Sequence, residues 1–486
     1  MRKAVATIVL SLALLVAALS LVALRLPSRQ IQFAPAPARA VDGEEVAQHL
    51  AAAIRFPTIS VSDDPAQLQT AAFEAFHVWL AQSYPLLHRS LVQERVGEQN
   101  LLYTWQGSDA RLEPILLLAH QDVVPADNAE RWSRPPFDGR IEDGFVWGRG
   151  AIDDKGSLVA ICEAVERLLA DGYTPKRTVL LAFGQDEEVG GARGATEIAK
   201  LLASRGVHAL LALDEGSAVV HDMLPGVDRL VALVGISEKG SATLEVVARA
   251  EGGHSSTPPR QSASGILAGA IERLEANPLP GGVVGVTRSF FEYLAPELPL
   301  YARVPLGNLW LFAKPMDWLL SRQPAANAML RTTTAVTMLS GSPKDNVLPV
   351  EAIAGVNFRL LPGDTALGVR EQVERIIDDP RVEVRFKYPA RESSPVSPID
   401  GPAFALVQRT IGELFLGSIT APFLTVGGTD CRHYEGVTQG LYRFAPFPFG
   451  RADLKLPHGI DERVAVASLP DAVRFYARLI ENASAN

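Results

Sequence analysis

The chemistry in this chain rests on a few imidazole and carboxylate side chains. They are His120 and Asp122, Asp153 and Asp154 within Gly-Arg-Gly-Ala-Ile-Asp-Asp-Lys-Gly, Asp186-Glu187-Glu188, Asp214, and a late His458 in Leu-Pro-His-Gly-Ile-Asp-Glu. Each group alone is common on protein surfaces. Brought to one crevice, so many carboxylates would repel one another unless cations compensated them. The chain has only two cysteines, Cys162 and Cys431, too few for a thiolate metal site or a disulfide framework. Any metal must therefore be held by His, Asp and Glu. That donor set suits zinc, with manganese or cobalt as alternatives.

Such residues need elements that converge. Three apolar runs each end in ionisable residues: Pro114–Ala119 before His120 and Asp122, Arg177–Phe183 before Asp186, and Ala209–Leu213 before Asp214. Short continuous apolar runs suit strands buried on both faces. Helical spacing lies between them at Leu158, Ile161, Cys162, Val165, Leu168 and Leu169, and again over 192–205. This alternation predicts an α/β fold with a doubly wound, mostly parallel sheet, whose ligands gather at the carboxyl ends of the strands. From about Lys239 the pattern changes. Residues 241–249 and 351–359 alternate, and helical patterns follow at 264–274 and 365–377. These predict an inserted α+β domain of βαβ type. Between its halves, 285–330 is rich in bulky apolar residues, among them Phe290, Tyr301, Trp310 and Trp318. It would suit the wall of an acyl-chain pocket, additional core, or a lid-packing hairpin.

The chain has 486 residues, 47% of them hydrophobic, and a net charge of −9. That length allows two large domains or about three ordinary ones, and the acidic balance argues against a nucleic-acid partner. No Gly-x-Ser-x-Gly elbow, His-Glu-x-x-His helix or Walker loop is present. The mean hydropathy of +0.11 is high for a soluble enzyme, and part of the excess lies in Ala4–Leu24. This stretch is long enough to span a bilayer and is flanked by Arg2, Lys3, Arg25 and Arg29. It is read as a single N-terminal membrane anchor with an extracytoplasmic catalytic body, the alternative being a cleaved signal and a secreted or periplasmic protein.

In order along the chain, His120-Gln-Asp122-Val-Val, the Asp153 motif, Asp186-Glu187-Glu188, Asp214-Glu-Gly, Gly252-Gly-His254-Ser-Ser, Asn346-Val-Leu-Pro, Gly427-Gly-Thr-Asp430 and His458-Gly resemble the di-zinc aminoacylase and carboxypeptidase family. The branch with carboxypeptidase S and the N-fatty-acyl-amino-acid hydrolase/synthase looks most similar, from Ser237-Glu-Lys-Gly-Ser, Arg331-Thr-Thr-Thr-Ala and Val356-Asn-Phe-Arg359. The resemblance implies two Zn2+ ions, with Co2+ or Mn2+ as substitutes. Asp153 would bridge them, His120 and Asp214 would complete one site, and Glu188 and His458 the other. Asp122 would orient His120. Glu187 would be the general base for a metal-bound hydroxide. His254 would stabilise the oxyanion, with Asn346, Arg359, Gly428 and Thr429 holding substrate. Residues 1–40 would be anchor or signal and linker, 41–237 and 395–486 the two parts of the catalytic domain, and 238–394 an inserted lid or dimerisation domain, with a possible homodimer. The implied reaction is cleavage of an amide next to a free α-carboxylate, in a small-molecule substrate that is either an N-acyl amino acid or a short peptide. A non-catalytic zinc-binding receptor domain is the alternative. Cys431 is read as an inert packed thiol.

Overall fold

The three apolar runs are strands buried along their whole length or nearly so. Ile115–His120 and Val179–Gly184 have no exposed residue, because covering layers lie on both faces of the sheet. The computed structural model describes residues 2–224 and 226–485 and divides into two units. One comprises Pro27–Ile236, Pro296–Pro299 and Val396–Asn486, the other Met1–Leu26, Ser237–Ala295 and Leu300–Pro395.

An eight-stranded sheet organises the larger unit. Its strands are β1 (Val92–Val96), β2 (Asn100–Trp105), β3 (Ile115–His120), β4 (Val179–Gly184), β5 (Leu211–Val220), β6 (Val231–Glu238), β7 (Ile419–Thr425) and β8 (Leu441–Phe449), ordered β1-β2-β4-β3-β5-β8-β6-β7. The central strands β4, β3, β5 and β8 run parallel, and β1 and β2 are antiparallel additions at one edge. Parallel register sets His120 level with Gly184. The loops that follow β3 and β4 therefore leave the sheet together. Helix Lys155–Ala170 packs on β3 and on helix Leu469–Ser484, so the C-terminal segment completes a layer begun by the first half of the chain. On the other face, Ile198, Ala199 and Leu202 of helix Ala195–Ser204 join Leu116, Leu118, Leu180 and Ala212 in one buried cluster.

The smaller unit carries a four-stranded antiparallel sheet ordered Thr333–Ser340, Glu351–Leu360, Gly240–Arg249, Val382–Phe386. Leu244, Val246, Ala354, Val356 and Phe358 meet Ile266, Ala270, Val369 and Val373 from helices Ala263–Ala276 and Ala366–Ile377 in its core. The fold is thus α/β with a separate antiparallel α+β unit, as the alternating patterns predict. The apolar 285–330 segment is helical: Gly285–Leu294, Leu300–Gly307, Leu309–Leu320 and Pro324–Leu330. Phe290 and Tyr293 are buried, whereas Tyr301, Trp310 and Trp318 are exposed.

Helix Thr70–Ser83 is pinned to the sheet by a buried imidazole. His77 Nε2 donates to Gln121 Oε1 at 2.6 Å, and Arg95 Nη2 donates to His77 Nδ1 at 3.2 Å. Gln121 in turn donates to the carbonyls of Gln99 and Phe183. Burial, aided by the Arg95 charge, brings the His77 pKa down from 6.5 to about 4. A folded-state pKa below the unfolded one gives stability that is complete above pH 6.5 and drains away as the pH falls toward 4. Denaturant unfolding should show wild-type stability declining between pH 6.5 and 5, and His77→Gln should show a flatter profile in that window.

Candidate metal centre

The carboxyl ends of β3 and β4, the Asp153 loop and the C-terminal loop meet at one carboxylate. Asp153 Oδ1 lies 2.8 Å from His120 Nε2, and Asp153 Oδ2 lies 3.0 Å from His458 Nε2. The second imidazole nitrogen also lies 3.0 Å from Glu188 Oε2. Among the described residues two donor groups result, each with its ligand atoms within 4.8 Å of one another: His120, Asp153 and Glu215, and Asp153, Glu188 and His458. Burial disfavours ionisation of Asp153, but its bonds to the two imidazoles prevail and hold its carboxyl below the usual range. The bonds from Asp153 and Glu188 raise His458 to about 10. This cluster favours positive charge.

Glu215, the neighbour of the expected ligand Asp214, is the acid grouped with His120 and Asp153. Successive residues on a strand face opposite sides. Asp214 lies on the Ala212 side of β5, where its Oδ1 accepts from the Glu215 amide at 3.0 Å and its Oδ2 from the Cys431 amide at 2.7 Å. Its Oδ2 thereby holds the loop after β7. Cys431 is fully buried in the cluster beneath, as a packed thiol.

Backbone hydrogen bonds fix the remaining donors. His120 Nδ1 donates to the Asp122 carbonyl at 2.9 Å, which leaves Nε2 to face Asp153. The fully buried Asp122 carboxylate lies 3.3 Å from the same ring nitrogen. Its two oxygens also accept from the amides of Glu187 and Glu188, both at 3.2 Å. Asp122 thus couples the orientation of His120 to the placement of the two glutamates. Glu188 Oε1 accepts from the Val124 amide at 3.2 Å. Burial is the main reason that the Glu187 carboxyl lies well above its usual range, with nearby acids adding to the rise.

Glu462 is a site residue that sequence reasoning misses, since an acid in an Ile-Asp-Glu-Arg loop reads as solvated. It is fully buried. Its Oε1 accepts from the amides of Gly150, Ile152 and Asp153 at 3.1, 2.8 and 3.2 Å, and its Oε2 from Arg149 Nη1 at 2.6 Å. Arg149 Nη2 donates to the His458 carbonyl at 3.1 Å. One buried ion pair therefore ties the Asp153 loop to His458, whose φ of 58° lies in the left-handed region that a non-glycine residue adopts only when held there. Asp430 has a similarly fitted seat: a Cβ at Gly184 or Gly191 would come within 2.4 Å of its carboxylate oxygens.

The other predicted residues fall as follows. Thr429 is buried, with its methyl against Gly216, and Gly428 is half-buried beside it. His254, Asn346 and Arg359 belong to the smaller unit. There Gly253–His254 pairs with Val347–Leu348, the Ser255 amide donates to the Asn346 carbonyl at 3.1 Å, and exposed His254 accepts or donates at Nδ1 to Ser256 Oγ at 2.8 Å. Arg359 is an exposed residue near the end of strand Glu351–Leu360.

The family model described as peptidase family M20/M25/M40 matches residues 116–482. The chain belongs to this family. It is 40% identical over 441 residues to a probable carboxypeptidase S-like 2 of Dictyostelium discoideum, covering 90% of this chain and 85% of that one. It is 39% identical over 457 residues to the N-fatty-acyl-amino acid synthase/hydrolase PM20D1 of Mus musculus, covering 92% and 90%. The fold matches the M20 family metallo-carboxypeptidase Sso-CP2 from Sulfolobus solfataricus with a TM-score of 0.62 at 19% identity, covering 91% and 100%. M20 membership makes the protein a metal-dependent hydrolase. Imidazole nitrogens and carboxylate oxygens without thiolate fit a divalent ion such as zinc.

The parity of β5 separates two adjacent acids. In metal analysis, Glu215→Gln should lose bound metal, with affinity at that group reduced at least about 10-fold. Asp214→Asn should keep metal but unfold at lower denaturant, because its paired amides lose a charged acceptor, worth about 1.5–3 kcal/mol per bond.

Proposed function

We propose that this M20 protein cleaves the amide bond of N-acyl amino acids, next to a free α-carboxylate, using two Zn2+ ions. The arrangement supporting this reading is the Asp153 carboxylate between His120 and His458, with one further carboxylate beside each imidazole, Glu215 and Glu188. Metal held by these residues supplies, when bound, a nucleophile at neutral pH and polarisation of the scissile carbonyl. Glu187 is the base. It lies beside Glu188 without being in either donor group, and burial raises its proton affinity. Its carboxylate takes a proton from the attacking water and passes it to the departing amine nitrogen, so that one group serves as base and then acid.

His254 donates to the oxyanion of the tetrahedral intermediate. Arg359 and Asn346 hold the substrate α-carboxylate, for which a guanidinium offers two parallel bonds. Gly428 and Thr429 position the substrate beside β5. In this reading the smaller unit acts as lid or dimerisation domain. The helix Arg2–Leu24 is an anchor that keeps the catalytic body on the extracytoplasmic side of a membrane. The relative named for N-fatty-acyl amino acids favours an acyl substrate over a dipeptide.

Hydrolysis of N-oleoyl-phenylalanine and of Gly-Leu should be compared in wild type and Glu187→Gln. The expected result is faster turnover of the oleoyl substrate. Glu187→Gln should lose about 10²- to 10⁴-fold in kcat with metal content unchanged. Full activity of that variant would remove Glu187 from its role, and cleavage of Gly-Leu alone would favour the carboxypeptidase reading.

A further inference from the structure

The hydrolytic reading leaves unexplained why the smaller unit displays so much apolar surface. In helix Leu309–Leu320 every residue except Lys314, Pro315 and Asp317 is apolar, yet none is buried. Trp310 is 77% exposed and Trp318 60%, and Tyr301 of the preceding helix Leu300–Gly307 is 73% exposed. Soluble surfaces rarely carry a contiguous apolar patch of this kind without a partner.

We propose that helices Leu300–Gly307 and Leu309–Leu320 form a lipid-docking element that lies in the membrane interface beside the N-terminal helix. That helix, Arg2–Leu24, is apolar and long enough to cross a bilayer, and only Leu19 and Ala23 in it are buried. The helix pair is what it packs against. Asn308, fully buried, donates through Nδ2 to the Leu19 carbonyl at 3.1 Å and to the Val304 carbonyl at 2.8 Å. Gly307 fits against Ala23, where a Cβ would stand 3.4 Å from the Ala23 Cα. A buried amide donor and a small-on-small contact are the usual means by which helices associate in lipid, where apolar burial gives no drive.

The position of this contact fixes the depth. Leu19 and Ala23 lie in the last two turns before Leu24, so at 1.5 Å per residue the docked pair sits within about 8 Å of the end of the helix. Interfacial helices bury to about 5–10 Å at the same boundary. The polar groups suit that level. Exposed Arg322 stacks its guanidinium over Trp318, 3.5 Å from the ring centroid, and Lys314 is exposed on the same helix. Arg25, also exposed, follows the N-terminal helix directly. Asp317 is neutralised by Arg331. Aromatic rings with flanking cations match the headgroup region and its anionic lipids. A second copy on this face would instead bring like charges together. This inference does not depend on the substrate assignment, and its test leaves activity aside.

Full-length protein in phosphatidylcholine/phosphatidylglycerol vesicles should be compared with and without acyl-brominated lipid, reading tryptophan emission. The N-terminal helix has no tryptophan. Among the remaining four, Trp105 and Trp132 are buried and Trp79 and Trp147 half-buried in the larger unit. Brominated lipid should therefore quench part of the wild-type emission, and Trp310→Phe/Trp318→Phe should lose that quenching while keeping wild-type circular dichroism. Equal quenching in wild type and double variant would overturn the proposal. So would no bromolipid quenching together with emission open to aqueous iodide. Protection from iodide without bromolipid quenching, with concentration-dependent cross-linking, would assign the face to a second copy and overturn it as well.

Discussion

A single carboxylate shared by two imidazoles constrains this structure more than any other contact. Asp153 offers one oxygen to His120 and the other to His458. The first imidazole ends a central strand of the sheet, and the second sits on a loop near the C-terminus. Their approach requires the chain to leave the sheet, build the smaller unit, and return. The price is electrostatic: Asp122, Asp153, Glu187, Glu188, Asp214, Glu215 and Asp430 crowd one end of the sheet, and burial opposes ionisation of most of them. Such crowding is stable only with compensating positive charge.

The surrounding contacts make sense as means of holding that arrangement. Asp122 is bonded to the backbone of both glutamates, so His120 and Glu188 cannot shift independently. Arg149 and Glu462 connect the loop of Asp153 to the backbone of His458. Breaking a buried pair of this kind strands an uncompensated charge, at a cost of about 3–5 kcal/mol. That is a large fraction of the marginal stability of a domain. The same bonds that position the ligands therefore also stabilise the larger unit, and catalytic geometry and folding are coupled there.

The sheet was legible because Ile115–His120 and Val179–Gly184 are buried on both faces, and burial on both faces leaves an unbroken apolar run. The smaller unit was legible for the opposite reason: strands Gly240–Arg249 and Glu351–Leu360 have one wet face, and alternation records it. Asp214 and Glu215 were not separable in this way. Both follow the same apolar run, and which one faces His120 depends on strand parity against neighbours that the sequence does not name. Glu462 was hidden because a buried acid and a solvated one look alike until Arg149 is seen beside it. The apolar content of 285–330 suits pocket wall, core and lid alike. Composition reports that surface is apolar but not what covers it, and the exposed Trp310 and Trp318 show that helix Leu309–Leu320 is not core.

If Asp153 joins two metal sites, neither site can survive its loss unchanged. The direct measurement is metal content by mass spectrometry of purified, folded Asp153→Ala beside wild type. The account predicts about two equivalents in wild type and well under one in the variant, since both donor groups lose a ligand. Retention of a full tightly held equivalent per chain by Asp153→Ala would contradict the shared-carboxylate centre.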